Sequence, residues 1–339
     1  MRRIVFTISL LLVLLTTLAF PITVSAATEG SVTGSFGISA PPTVTSTTLV
    51  ATSLTPQTSY TITAVVGDPD KISNLNTVVM KIWYDADGGA PTEGEFDAAT
   101  AATQTCAVIT WTHTSGTAST TVLTPTAGGS TWAIGSYAVP TTLGHFDGTS
   151  FTFSFPITIG KVATETSGAG KWQVAVKVTD DTTQTDFDLD GEGATMNWYG
   201  EISVPTASVS WGGISRGVDF GGTGSQKALG VTVNYKANGA YDEKAKSSAS
   251  WTGTTYTATL DSGGVCDDNN EFALKTDDAT VIDAAVLLDS TGVTLDDSGA
   301  QTAEAGDGVS NYNFWIKLAS SFDSDNYNGT LTFIIANGT

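Results

Sequence analysis

The residues Asp186-Phe187-Asp188-Leu189-Asp190-Gly191-Glu192 place acids at positions 1, 3 and 5 of a run that has glycine at 6. Ca²⁺ takes roughly six to eight hard oxygen ligands in a flexible geometry, and acids at alternate positions before a sharp turn supply several of them from one short loop. Asp186, Asp188, Asp190 and Glu192 are therefore candidate Ca²⁺ ligands in a loop between two strands; a solvated acidic hairpin accounts for the same residues without an ion. A second candidate Ca²⁺ set is Asp68, Asp70 and Asp180, which terminate strands that have to lie together for the set to form. Further acidic groups, Asp85-Ala86-Asp87 and Asp267-Asp268-Asn269-Asn270-Glu271, are equally ordinary turn chemistry.

Catalytic signatures are missing. The sequence has no Gly-x-Ser-x-Gly elbow, no His-Glu-x-x-His, no phosphate loop and no cysteine pair at zinc spacing. Two histidines, His113 and His145, are too few for a histidine-rich metal centre. With 34 acids, carboxylate pairs at glycosidase spacing arise by chance and carry no weight. The chain reads as a non-enzyme.

Strict alternation dominates the elements that have to position these acids. Tyr60, Ile62, Ala64 and Val66 share one face of a strand, as do Val78, Met80, Ile82 and Tyr84, then Phe151 to Ile159, then Trp172 to Val178. Turn formers such as Asp85-Ala86-Asp87-Gly88-Gly89 and Asp147-Gly148 separate them. Helical spacing is confined to two short segments, Glu93 to Ala102 and Asp242 to Ser247. The fold class is all-β, two β-sandwich domains in tandem. The boundary falls at Val204-Pro205-Thr206, giving domains of 43–205 and 206–339, with Met196 to Val204 closing the first.

Arg2, Arg3, the apolar run Ile4 to Phe20 and the small residues Val24-Ser25-Ala26 read as a cleaved secretion signal over residues 1–26. That segment holds two arginines and no acid, so the 313 residues after it carry 12 basic against 34 acidic side chains, a formal charge of −22. The acidity argues against nucleic acid and anionic membranes as partners. Later apolar segments are short and interrupted, so no membrane span is expected after cleavage. Charged residues make up 14% of the chain and hydrophobic residues 40%, which describes a globular body and not a disordered one. Cys106 and Cys266 are two buried thiols or one bridge. Asn328-Gly-Thr330 and Asn337-Gly-Thr339 match the N-glycosylation pattern.

Cleavage after Ala26 leaves residues 27–42 as a tether in which Val32, Gly34, Phe36 and Ile38 alternate before Pro41-Pro42. Val32, Phe36 and Ile38 are candidate subunit-interface residues if this strand is donated to a neighbouring copy; pairing within its own domain is the other reading. Eight tryptophans fall mostly in alternating strands, where core packing is the usual role and a sugar platform the rarer one. Trp83 is out of phase with its strand's apolar face and is expected to point outward.

The Asp186 to Glu192 run resembles the Ca²⁺ loops of the EF-hand and dockerin families over those residues only; Asn197 stands where a bidentate Glu is required, and its flanks alternate as strands do, which rejects an EF-hand domain. The stretch from Thr58 to Val78, continuing to Ile82-Trp83-Tyr84-Asp85, and Gly170 to Asp180 resemble the immunoglobulin-like and cadherin-like repeats of prokaryotic, archaeal-type surface proteins, and Asn326 to Asn337 is similar to the closing strand of fibre-forming sandwich subunits. The resemblance implies Ig-like or jelly-roll-like sandwiches and structural duty outside the cell. The function expected is a secreted, self-assembling filament or surface-layer subunit joined by strand donation and stabilised by Ca²⁺, with copies of itself as partner. The alternative is a monomeric adhesion or glycan-binding module for which surface glycans are the partner.

Overall fold

The computed structural model describes residues 39–126, 129–206, 208–221 and 227–338. The expected signal segment and Val32, Phe36 and Ile38 lie outside the described residues. The first ten strands are β1 (Thr43–Leu49), β2 (Ser53–Leu54), β3 (Ser59–Gly67), β4 (Leu75–Asp85), β5 (Cys106–Ser115), β6 (Ala118–Thr124), β7 (Ala133–Ile134), β8 (Ser150–Thr158), β9 (Lys171–Asp180) and β10 (Thr185–Met196). They form a four-stranded sheet, β1-β3-β8-β7, and a six-stranded sheet, β2-β10-β9-β4-β5-β6. The period of two decides what lies between them: Ile62, Ala64 and Val66 of β3, Phe153, Phe155 and Ile157 of β8, Val78, Met80 and Ile82 of β4, and Trp172, Val174, Val176 and Val178 of β9 bury into one core. Each such large side chain stabilises the fold by about 1.5–3 kcal/mol.

The outer face of the six-stranded sheet is roofed by α1 (Glu93–Ala98). Thr92 and Glu95 start this helix with a capping box, each side chain taking the other's backbone amide. Lys81 of β4 ends it by donating to the Phe96 and Ala99 carbonyls at 2.6 and 2.7 Å, and Lys177 of β9 pairs with Glu93 and Asp97. Under this roof Trp83 packs edge-on against Phe96. Trp83 is thus on the outer face, as its phase requires, yet it is buried.

The remaining strands are β11 (Gly200–Ser203), β12 (Lys227–Ala237), β13 (Tyr241–Ser247), β14 (Ser250–Thr252), β15 (Thr257–Leu260), β16 (Glu271–Asp277), β17 (Val286–Leu287), β18 (Val293–Gly299), β19 (Gly308–Leu318) and β20 (Leu331–Asn337). Seven of them make a sheet ordered β11-β12-β19-β16-β15-β14, with β17 on β16, and three make the facing sheet β18-β13-β20. Their side chains enclose a second core around Tyr235, Phe272, Tyr312, Phe314 and Phe333. The segment Asp242 to Ser247, expected as a helix, is strand β13, because Tyr241, Glu243, Ala245 and Ser247 alternate inward. Glu243 survives in that core because Tyr312 and Ser310 donate to its carboxylate. Among the described residues α-helix is confined to α1 and the one-turn α2 (Leu143–Phe146), with one 3-10 turn at Ile72–Asn74, and no helix is long and apolar enough to cross a membrane.

The strand expected to close the first sandwich opens the second. Gly200–Ser203 pairs with β12, so the chain crosses over at Asn197 to Tyr199, ahead of the expected boundary. Asn238 holds the crossing. Its buried side chain donates to the carbonyls of Ala163 and Asn197, both at 2.9 Å, and accepts from the Tyr199 amide at 2.6 Å. Its own carbonyl accepts the Glu165 amide at 2.9 Å. Gln104 donates to Thr302, Gln301 donates to Val162, and Lys161 pairs with Glu201 across the same seam. From Ser39 onward the chain forms one compact unit with two cores.

Cys106 and Cys266 are free thiols in separate cores, and burial pushes each up to about 11. They are not the bridge that the sequence left open.

Asn238→Ala leaves the Tyr199 amide and two carbonyls without their partner. Calorimetry is expected to show a loss of about 2–4 kcal/mol and a split of one unfolding transition into two; a single transition at the original temperature would rule out this coupling.

Candidate functional site

The Asp186 to Glu192 run is not a loop. It forms the body of β10, paired antiparallel with β9 in a register from Asp186 opposite Val178 to Asp190 opposite Val174, with the irregularity between Asp190 and Ala194. The Glu192 side chain lies outside the described residues. Alternate side chains on a strand stand roughly 6.6 Å apart, too far for three carboxylates to meet on one ion. Gly191 makes no sharp turn; the left-handed backbone is at Gly193, with φ of 60°.

These acids do something else. The edge strand β1 of the opposite sheet lies against β10, and its Val44 amide donates to Asp186 Oδ2 at 2.6 Å. The Leu49 amide donates to Asp190 Oδ2, also at 2.6 Å, and the Thr47 hydroxyl donates to the Asp188 carbonyl at 3.3 Å. The alternation that mimics a Ca²⁺ loop is a row of acceptors that closes a sheet edge, with charge-assisted bonds of the stronger kind.

The second predicted set fares differently, because the fold brings its three acids to one corner. Asp68 follows β3 and Asp180 ends β9, and both are buried, while Asp70 is exposed beside them. Asp68 Oδ1 accepts the amides of Asp70 and Lys71 at 2.8 and 3.2 Å, but its buried Oδ2 has no hydrogen-bond partner. Burial pushes the Asp68 carboxyl above the usual carboxylate range; its two amide bonds pull the other way, and the charges of Asp70 and Asp180 push it up again. Asp180 is satisfied locally, by the amide and hydroxyl of Thr182 and the amide of Gln184. Asp70 Oδ2 accepts from the Ala40 amide at 3.0 Å and the Ser39 hydroxyl at 3.3 Å, and Gln184 donates to the Ser39 carbonyl at 3.3 Å. The three acids are like charges around one orphaned oxygen, but their carboxylate oxygens are not among those that converge within 4.8 Å.

Tighter convergence occurs elsewhere. Among the described residues, the carboxylate oxygens of Asp267 and Asp268, exposed on the turn before β16, and of the half-buried Glu271 that begins it come within 4.8 Å of one another. Glu271 there already accepts the Asp268 amide at 3.0 Å, which is ordinary turn chemistry. Six of the eight tryptophans are buried, and Trp198 and Trp211 are half-buried against the second core, so their rings are committed to packing. Comparison with protein-family models and with curated proteins returns no match.

Two outcomes are expected. Asp186→Ala with Asp190→Ala removes two half-exposed acceptors from β1 and lowers stability by about 2 kcal/mol, equally with Ca²⁺ and with chelator; a loss seen only with Ca²⁺ would restore the ion-binding reading of β10. Asp68→Asn keeps an acceptor for the two amides and removes the buried charge. With chelator at neutral pH it is expected to melt higher than the parent. Because the folded carboxyl lies above its unfolded value, the parent gains on the variant as pH falls through that window. Added Ca²⁺ should raise the melting temperature of the parent alone, and an unresponsive parent would remove the cation from this corner.

Proposed function

We propose that this chain is a secreted structural protein of the cell surface, the subunit of an extracellular filament or surface layer, which assembles with copies of itself by strand donation. Met1 to Ala26 acts as the secretion signal, and cleavage makes Ala27 the new amino terminus. The observation that carries the reading is the closed edge of β1. Ser39 and Ala40, just before it, are pinned to Asp70 and Gln184, and the outward amides of Val44 and Leu49 are taken by Asp186 and Asp190. The strand-like segment Val32 to Ile38 directly precedes Ser39, beside an edge at which two amides are already taken. In this reading it pairs with an edge of a neighbouring copy. Main-chain hydrogen bonds supply the affinity of such β-augmentation, and alternate side chains, Phe36 and Ile38, supply the fit.

Ca²⁺ at Asp68, Asp70 and Asp180 supports assembly in this reading by stiffening the root from which the strand departs. An adhesion or glycan-binding monomer would draw on exposed aromatic rings; among the described residues the tryptophans are buried or half-buried, and Tyr137 and Tyr256 are exposed.

Deleting residues 27–38 should leave the melting temperature of the body unchanged and abolish filaments or sheets in electron micrographs of protein purified with Ca²⁺. Polymers that persist in the deletion variant would overturn strand donation.

A further inference from the structure

Among the described residues four edge strands are seven residues long, β1, β6, β18 and β20. An edge presents unpaired amides and carbonyls that invite another strand, and proteins guard such edges with charge, cover or brevity. Asp186 and Asp190 close β1. The sequence of β18 includes two acids, Asp296 and Asp297. The side chains of β20 are half-buried or buried from Leu331 to Ala336, none of them among the exposed apolar residues.

β6 has none of these guards. Its sequence, Ala-Ser-Thr-Thr-Val-Leu-Thr, carries no charge in a chain of 48 charged residues. It pairs with β5 on one side over Ala118 to Thr124, and its position at the end of the six-stranded sheet leaves the other side without a strand among the described residues. Val122 is 51% exposed, and Leu123 on the opposite face packs at the lip of the first core. The facing sheet gives that lip little cover, since it ends, away from β1, in the two-residue β7.

We propose that the free edge of β6 is the acceptor for the segment Val32 to Ile38 of a second copy. This rests on the strand-donation reading given above. Three observations select that occupant. Residues 31–38 are uncharged like β6, so pairing them buries no charge in a molecule that is otherwise strongly acidic. The segment matches β6 in length and adds period-two apolar residues, which extend the face on which Leu123 lies. The 12 residues from Ala27 to Ile38 reach about 40 Å when extended, enough to lie along a neighbour's edge while rooted at Ser39.

The test uses full-length protein after signal cleavage. Two populations are mixed, one carrying Val122→Cys and the other a single cysteine scanned from Thr33→Cys to Gly37→Cys; the buried native thiols stay out of the reaction. A heterodisulfide between the two populations, strongest at alternate scanned positions, is expected, and Ile334→Cys on β20 should give none. In parallel, Thr120→Lys with Val122→Lys should keep the parental melting temperature and lose polymer about tenfold, because lysine guards an edge. If the lysine variant polymerises like the parent while deletion of residues 27–38 abolishes polymers, donation stands and β6 is not the acceptor. Crosslinking to Ile334→Cys in place of Val122→Cys, or within single chains only, overturns the assignment as well. Polymers that survive the deletion overturn donation itself.

Discussion

A β-sheet ends in a row of backbone amides and carbonyls that have to be paired, covered or left to water, and this protein meets that demand differently at each edge. A buried amide without a partner costs about as much as a lost hydrogen bond, so edges dictate where side chains go. At β1 the solution is electrostatic: carboxylates from the opposite sheet accept the amides of Val44 and Leu49. At the seam between the two cores it is an amide side chain, Asn238, which satisfies three backbone groups at once. At β6 no charged side chain of the strand and no neighbouring strand among the described residues answers.

The same accounting explains the acidic residues. A net charge of −20 over the whole chain invites an ion-binding interpretation, yet the acids have separate employment. Asp186 and Asp190 close an edge, Asp180 organises its own turn, and Glu243 is fixed by hydroxyl donors in the second core. Asp68 differs from these, because one of its oxygens is buried with nothing to accept, as is one oxygen each of Asp85, Asp277 and Glu304. That oxygen lies beside two more acids, Asp70 and Asp180, and Asp70 also accepts from Ser39 and Ala40.

Rigidity follows from where the polar contacts lie. The roof α1 is stapled by Lys81 and Lys177, so the first sandwich is braced by charges from its own strands, and the seam is bonded from both sides by amide side chains and one ion pair. A body braced in this way can present a sheet edge in a fixed orientation, which a partner strand needs if its backbone is to register along seven residues of β6.

By itself the sequence determined the long alternating strands, though not β13. Period-two patterning in Tyr60 to Val66, Val78 to Tyr84 and Trp172 to Val178 was enough to specify half-buried strands and an all-β fold, because alternation is a local property of the chain. It also identified Asp68, Asp70 and Asp180 as acids at strand ends. Local pattern could not tell a Ca²⁺ loop from a strand whose acids face one way, and Asp186 to Asp190 satisfies both descriptions until β1 is set against β10. It could not assign Gly200 to Ser203 to the second sandwich, since a strand's sheet is chosen by its partner, here β12. Nor could it cover Trp83, whose outward phase was right but whose roof is a helix from elsewhere in the chain. Tertiary structure alone decided which edges are closed and which stays open, because an edge is defined by the absence of a neighbour, and neighbours are set by the fold.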